Sequence, residues 1–174
     1  MPKIFPFYKQ PDHMDCGPTC LRMIAKYYGK NFSLQTLREI SKINKDGASL
    51  LGLSEAAENR GFRALGVKLN IEQLREVEKP CILHWRNNHF VVLYKIKRKK
   101  YFIADPANSL VVLSESDFIN NWLPKGTETE AGVALLLTPT PVFFEQEDEV
   151  GLSVSWSLLI RYLFISLAVS KRYP

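Results

Sequence analysis

Apolar residues recur at one-turn spacing early in the chain and at alternate positions later. After Gly17-Pro18, the residues Leu21, Ile24, Ala25 and Tyr28 fall on one helix face that Gly29 stops. Pro18 suits a first turn, where no internal N–H bond is lost. A second helix is predicted after Ser33, with Leu34, Leu37 and Ile40 inward. A third follows Ser49, with Leu50, Leu53, Ala56 and Ala57 inward, and ends at Gly61. Residues 62–69 alternate as a strand does. Asn70 then opens a short helix, with Gln73 placed for a capping box. Strand patterns follow over 81–85 and 89–96, joined by Arg86-Asn87-Asn88, and over 101–104, joined by Lys97-Arg98-Lys99-Lys100. A short strand over 111–113, a helix capped by Ser114 and Asp117 through Trp122, and a closing strand over 133–137 complete the body. Helices ahead of an antiparallel sheet make an α+β pattern.

The 174 residues fit one domain with a tail, and a 46% apolar share excludes wholesale disorder. A net charge of +5 is too small and too dispersed to argue for nucleic acid. Three cysteines make no disulfide framework, and no apolar run follows the first Lys, so a secretory signal is not expected and a reducing, cytoplasmic compartment is. The body is assigned to residues 1–137. Thr138-Pro139-Thr140-Pro141 and the acidic run Glu145-Gln146-Glu147-Asp148-Glu149 read as a linker over 138–150. The charge-poor stretch 151–174 approaches the length of a membrane span, but Arg161 lies in its middle. An interfacial amphipathic helix is therefore favoured over a crossing, with a helix packed on the domain as the other reading.

The chemistry concentrates around Asp15-Cys16-Gly17-Pro18-Thr19-Cys20. Cys16 falls at the start of the first helix, where unpaired N–H groups and the positive dipole end stabilise a thiolate. Gly17, without a side chain, is expected to let a substrate backbone approach closely. Gln10 lies six residues upstream on an extended arm, where its amide and the Cys16 N–H can together bind an oxyanion. Cys20, inside the helix, reads as core. His89 opens a strand, and Asp105-Pro106 ends its hairpin neighbour. The two strand ends lie side by side, which places a carboxylate beside an imidazole. A structural histidine and a turn-forming Asp are the alternative readings of that pair. His13 reads as solvated and His84 as a buried strand residue. Zinc is disfavoured, because His13, Cys16, Cys20, Cys81 and His84 have loose spacings and Cys20 would have to leave a core face. No phosphate loop, nucleophile elbow, H-E-x-x-H or dinucleotide fingerprint occurs.

Gln10, the Asp15–Leu21 motif, Tyr27-Tyr28-Gly29, Gly47…Gly52-Leu53, His89-Phe90-Val91-Val92-Leu93 and Asp105-Pro106 together resemble the N-terminal peptidase domain of peptidase-containing ABC transporters, over essentially all of residues 1–137. The resemblance implies a papain-like cysteine peptidase fold, with Cys16 as nucleophile, His89 as general base and acid, Asp105 as its orienter and Gln10 as oxyanion donor. It implies cleavage of leader peptides after a double-glycine motif on bacteriocin-like precursors, at the cytoplasmic face of the bacterial cell membrane. No cofactor is implied for the peptidase domain, since ATP and Mg belong to a nucleotide-binding domain. The implied partners are the precursor and the transmembrane and nucleotide-binding domains of a transporter that is homodimeric at full length. Residues 151–174 are then an elbow helix leading toward a truncated transmembrane domain, and this piece is expected to cleave but not to transport. Two other readings stay open: a non-catalytic domain that docks the leader, and a transglutaminase-like or deamidating Cys-His-Asp enzyme.

Overall fold

A computed structural model describes residues 4–43, 47–86, 88–123 and 131–149. A 3-10 turn, His13–Asp15, leads directly into α1 (Cys16–Tyr27), followed by α2 (Leu34–Ile40) and α3 (Leu50–Asn59). Then come β1 (Phe62–Leu69), α4 (Ile71–Glu76), β2 (Cys81–Trp85), β3 (His89–Lys97), β4 (Lys100–Ala104) and β5 (Leu110–Ser114). Next are α5 (Glu115–Trp122), β6 (Gly132–Pro139) and α6 (Pro141–Glu145). The helices begin where side chains can satisfy their free N–H groups. Ser33, Ser49 and Ser114 accept from the backbone N–H of Thr36, Gly52 and Asp117, and Asn70 and Gln73 form a reciprocal capping box.

The six strands form one antiparallel sheet in the order β1-β6-β2-β3-β4-β5. The last strand in sequence therefore does not close the sheet at its edge. It inserts between β1 and β2, leaving β1 and β5 as the edges. The β3–β4 hairpin turns through Arg98 and Lys99, both at positive φ, as a two-residue turn matched to strand twist requires. On one face of the sheet, α1 packs on β3 and α3 on β1. Leu21, Ile24, Leu53, Phe90 and Val92 belong to the core on that side. On the other face α5 covers β2, β4 and β5, and the rings of Phe118 and Tyr101 stack with centroids 4.2 Å apart. Sheet and helices thus form the α+β body that the pattern predicts, with the start of β3 brought against α1.

The segment expected as a linker is instead folded onto the body through residue 149. β6 runs on to Pro139, and Thr140 donates through N–H and hydroxyl to the Gly61 carbonyl. Phe143 of α6 is fully buried against Phe62, Phe32 and Tyr28. Gly61 permits this docking, since it has φ +82° and a Cβ there would lie 2.5 Å from the Phe143 nitrogen. The acidic run then clasps α2. Asp148 accepts from both nitrogens of Asn31, while Glu149 accepts from the Ser33 N–H and the Thr36 hydroxyl and pairs with Arg60 at 2.8 Å. Like charges and prolines suggest a solvated tether only while their partners, 79 to 117 residues away, are unknown. The elbow helix expected over 151–174 lies outside the described residues.

Candidate active site

Asp12 caps the 3-10 turn before α1 and Asp15 bonds back to the Asp12 N–H, so the chain is fixed before Cys16 is reached. Asp15 is 2% exposed and is held from the other side by the Arg38 guanidinium of α2. Cys16, the first residue of α1, consequently sits with its thiol at the helix N-terminus. His89 enters from β3, where it pairs across the turn with Trp85. Its Nε2 lies 2.8 Å from Asp105 Oδ1. The same carboxylate oxygen accepts from the Ala107 N–H at 3.0 Å, in a turn closed by the Asn108 N–H on the Asp105 carbonyl. With Nε2 engaged by Asp105, Nδ1 is the nitrogen left to act on the Cys16 thiol, which is among the groups that raise the ring.

Burial pushes the His89 imidazole down, but the bonds to Asp105 and Cys16 outweigh it and raise the ring to about 9. Burial likewise pushes the Asp105 carboxyl up, yet the bonds from His89 and the Ala107 N–H, with the nearby charge of Arg86, leave it below its ordinary range. Both directions favour an imidazolium held by a carboxylate.

The Gln10 arm crosses the same region, for its N–H donates to the Pro106 carbonyl at 2.9 Å, one residue past Asp105. Its side-chain oxygen is buried and finds no partner among the described residues, while the donors that an oxyanion needs are on the other end of the amide, at Nε2. An ordered helix terminus, a thiol and an imidazole–carboxylate pair are parts that nucleophilic acyl transfer requires.

A model of the peptidase C39 family matches residues 4–140. The chain belongs to the peptidase C39 family. It is 33% identical over 159 residues to a colicin V secretion/processing ATP-binding protein of Escherichia coli, a match covering 91% of this chain and 21% of that protein. It is 34% identical over 167 residues to a lactococcin-G-processing and transport ATP-binding protein of Lactococcus lactis subsp. lactis, covering 91% of this chain and 23% of that one. The chain thus spans about a fifth of the length of these curated relatives. Among solved structures, a double-glycine motif protease from an AMS/PCAT transporter, crystallised with a leader peptide, superposes with TM-score 0.70 at 33% identity, covering 78% of this chain and 91% of that one. The peptidase domain of Streptococcus ComA, a bifunctional ABC transporter, gives TM-score 0.69 at 32% identity, covering 79% and 100%. The fold is therefore that of the papain-like C39 peptidases, which are cysteine peptidases and hydrolases.

Within this C39 domain the other sequence candidates take different places. Cys20 is fully buried and donates to the Phe90 carbonyl at 3.3 Å, which ties α1 to β3 beside His89. His13 is largely exposed and sits against Asp12, while His84 packs its ring near Phe90. Gly17 plays a different part from the one expected. It is buried, and a Cβ there would lie 2.8 Å from both Leu53 methyls and 3.2 Å from Ala48. Its lack of a side chain lets α1 pack on α3 and does not open a path for substrate. Sequence reasoning gave no role to the Asp15–Arg38 pair. The Asp12-x-x-Asp15 spacing, a capping-box pattern just ahead of Cys16, is the signal that points to it.

Proposed function

We propose that this C39 domain is the endopeptidase that removes the leader from double-glycine peptide precursors, acting at the cytoplasmic face beside the transmembrane and nucleotide-binding domains of a homodimeric exporter. The observation that carries the reading is the 2.8 Å bond between Asp105 and His89, together with a Cys16 thiol at a helix N-terminus that is among the groups raising the ring. Cys16 Sγ attacks the carbonyl of the second glycine. The oxyanion accepts from the Cys16 N–H and the Gln10 amide, whose arm is pinned beside Asp105. His89 delivers its proton to the leaving amine, which departs as the new N-terminus of the cargo. Water then attacks the thioester, giving its proton to the now neutral imidazole. The leader leaves as an acid and the thiol is restored. A cavity lined by Ser49, Leu50, Asn88 and Phe90, on the α3 side of the sheet, offers a path for the leader.

The test is incubation with a double-glycine precursor followed by mass spectrometry. Wild-type protein should give two fragments split after Gly-Gly. Cys16→Ala should bind the precursor and leave it intact, a loss of about 10⁴-fold or more in rate. Precursor bound but uncut by the wild type would identify a docking domain instead. A product one mass unit heavier and unsplit would identify a deamidating enzyme.

A further inference from the structure

α1 packs on β3, and the two elements share a starting point, with Cys16 opening the helix and His89 opening the strand. Tyr27 ends α1 about 17 Å further on, at about 1.5 Å per residue, and so marks the pole of the domain away from the active site. There the Tyr27 ring meets Phe5 with centroids 5.5 Å apart. Phe5 stacks on Tyr94 of β3 at 4.5 Å, and Tyr94 meets Phe102 of β4 at 6.0 Å. In the other direction Tyr28 joins Tyr27 to Phe143 of α6. One series of rings therefore ties the β3–β4 hairpin, the N-terminal arm, the end of α1 and α6 into a single surface. Apolar side chains stand open along it, for Ile4 is 85% exposed, Phe144 55% and Tyr27 43%.

The net charge of the chain is small, but its cations gather at this pole. Lys95, Lys97, Arg98, Lys99 and Lys100 are all exposed on the hairpin. Among the described residues one carboxylate pairs with them, Glu115, at 4.0 Å from Lys99. Lys95 lies over the Phe102 ring at 5.2 Å, so charge and ring series are in contact. The acidic run lies at the other end of that series, where Asp148 and Glu149 are engaged by Asn31, Ser33, Thr36 and Arg60. Lys26 of α1 donates to the Asn31 side chain, and the Asn31 carbonyl accepts from the Glu149 N–H at 2.8 Å. The chain therefore leaves for the charge-poor stretch 151–174 from the same pole. Five long cationic side chains around one tight turn suit a diffuse layer of phosphates, whereas a protein surface would have to supply a carboxylate for each. Open aromatic and aliphatic side chains beside them suit the boundary between headgroups and acyl chains.

We propose that this pole rests on the anionic surface of a lipid bilayer, with the hairpin cations among the headgroups and the active site turned away from the lipid. The proposal goes beyond the peptidase reading and stands or falls separately from it. Co-sedimentation of the full chain with vesicles tests it. Wild type should bind equimolar phosphatidylcholine–phosphatidylglycerol vesicles about tenfold or more tightly than phosphatidylcholine alone, and less so in high salt. Lys97→Gln, Arg98→Asn, Lys99→Asn and Lys100→Gln together remove the charge of the tip, with Asn at the two positive-φ positions, where it is tolerated. That variant should lose about tenfold or more on the mixed vesicles and match wild type on phosphatidylcholine. Equal binding of variant and wild type to mixed vesicles would put the lipid contact elsewhere on the chain and overturn the proposal. Wild-type binding indifferent to phosphatidylglycerol would overturn it too, leaving the pole to a protein partner. A second measurement needs no variant. With mixed vesicles present, acetic anhydride should modify Lys97, Lys99 and Lys100 several-fold more slowly, while Lys68, at the end of β1 away from α6, keeps its rate. Iodoacetamide should reach Cys16 equally fast with and without vesicles. Slowed labelling of Cys16 with the hairpin lysines unprotected would place the lipid at the catalytic end and refute the orientation.

Discussion

Cys16 and Cys20 are one turn apart on the same helix, and the structure gives them opposite fates. Cys20 lies wholly inside the core with its thiol on the Phe90 carbonyl. Burial pushes it well above an ordinary thiol, and the neighbouring Cys16 and Asp105 push it further. Cys81, buried in β2, is pushed by burial up to about 12. Cys16 opens the helix beside an imidazole that is raised to about 9 against the downward push of burial. Residue type therefore says little about thiol reactivity, and placement by a single turn decides it. The contrast can be broken directly. At pH 7 a thiol titrating near 12 is about 10⁻⁵ thiolate, so iodoacetamide should label Cys16 in the native protein on the order of 10³-fold or more faster than Cys20 or Cys81. Peptide mapping measures the ratio, which should collapse toward one in urea. Comparable native rates would mean that Cys16 is an ordinary buried thiol.

The imidazole half of the contrast depends on Asp105. Asp105→Asn should lower kcat/KM on a double-glycine precursor by about 10²-fold or more, since the ring loses the group that fixes its tautomer and charge. The same variant has a pH signature. The folded His89 titrates at about 9, above its unfolded value, so its ion pair contributes stability that is fully present below about 6.5 and is lost as pH rises through 9. The urea-midpoint gap between wild type and Asp105→Asn should therefore be widest near pH 6 and narrow toward pH 9.5. A gap that stays constant across that range would show that Asp105 is a turn former and not the partner of a charged ring.

What the sequence revealed, and what it hid, divides along the range of the interactions. Ser33, Ser49, Asn70 and Ser114 announce their helices because each cap acts over three residues. The His89–Asp105 pair is legible because a tight hairpin turn fixes which strand ends meet. Cys16 and Cys20 are separated by helix position alone. The packing role of Gly17 is hidden because its neighbours, Leu53 and Ala48, lie in and just before another helix. The insertion of β6 between β1 and β2 and the clasp of residues 148–149 on α2 are likewise set by partners far along the chain, for which local periodicity carries no signal.

That clasp supplies the mildest way to sharpen the contrast. Glu149→Ala removes one carboxylate from the Ser33 N–H, the Thr36 hydroxyl and Arg60, bonds made at a partly exposed site. Charge-assisted bonds of this kind stabilise by about 1–2 kcal/mol, so the melting temperature should fall by about 2–6 °C, and less in high salt, where the Arg60 pair is screened. Glu149 titrates below its ordinary range in the fold, because the Thr36, Ser33 and Arg60 contacts overcome the upward push of burial. Its contribution is therefore present at neutral pH and disappears as pH falls through the folded value, so wild type and variant should converge in acid. The clasp touches α2 and the end of α3 and leaves the start of α1 alone. Native labelling of Cys16 over Cys20 should accordingly keep its ratio in this variant even as the melting point drops. A ratio that falls along with stability would mean that the thiol's environment is maintained from the far side of the domain and not by the turn that precedes it.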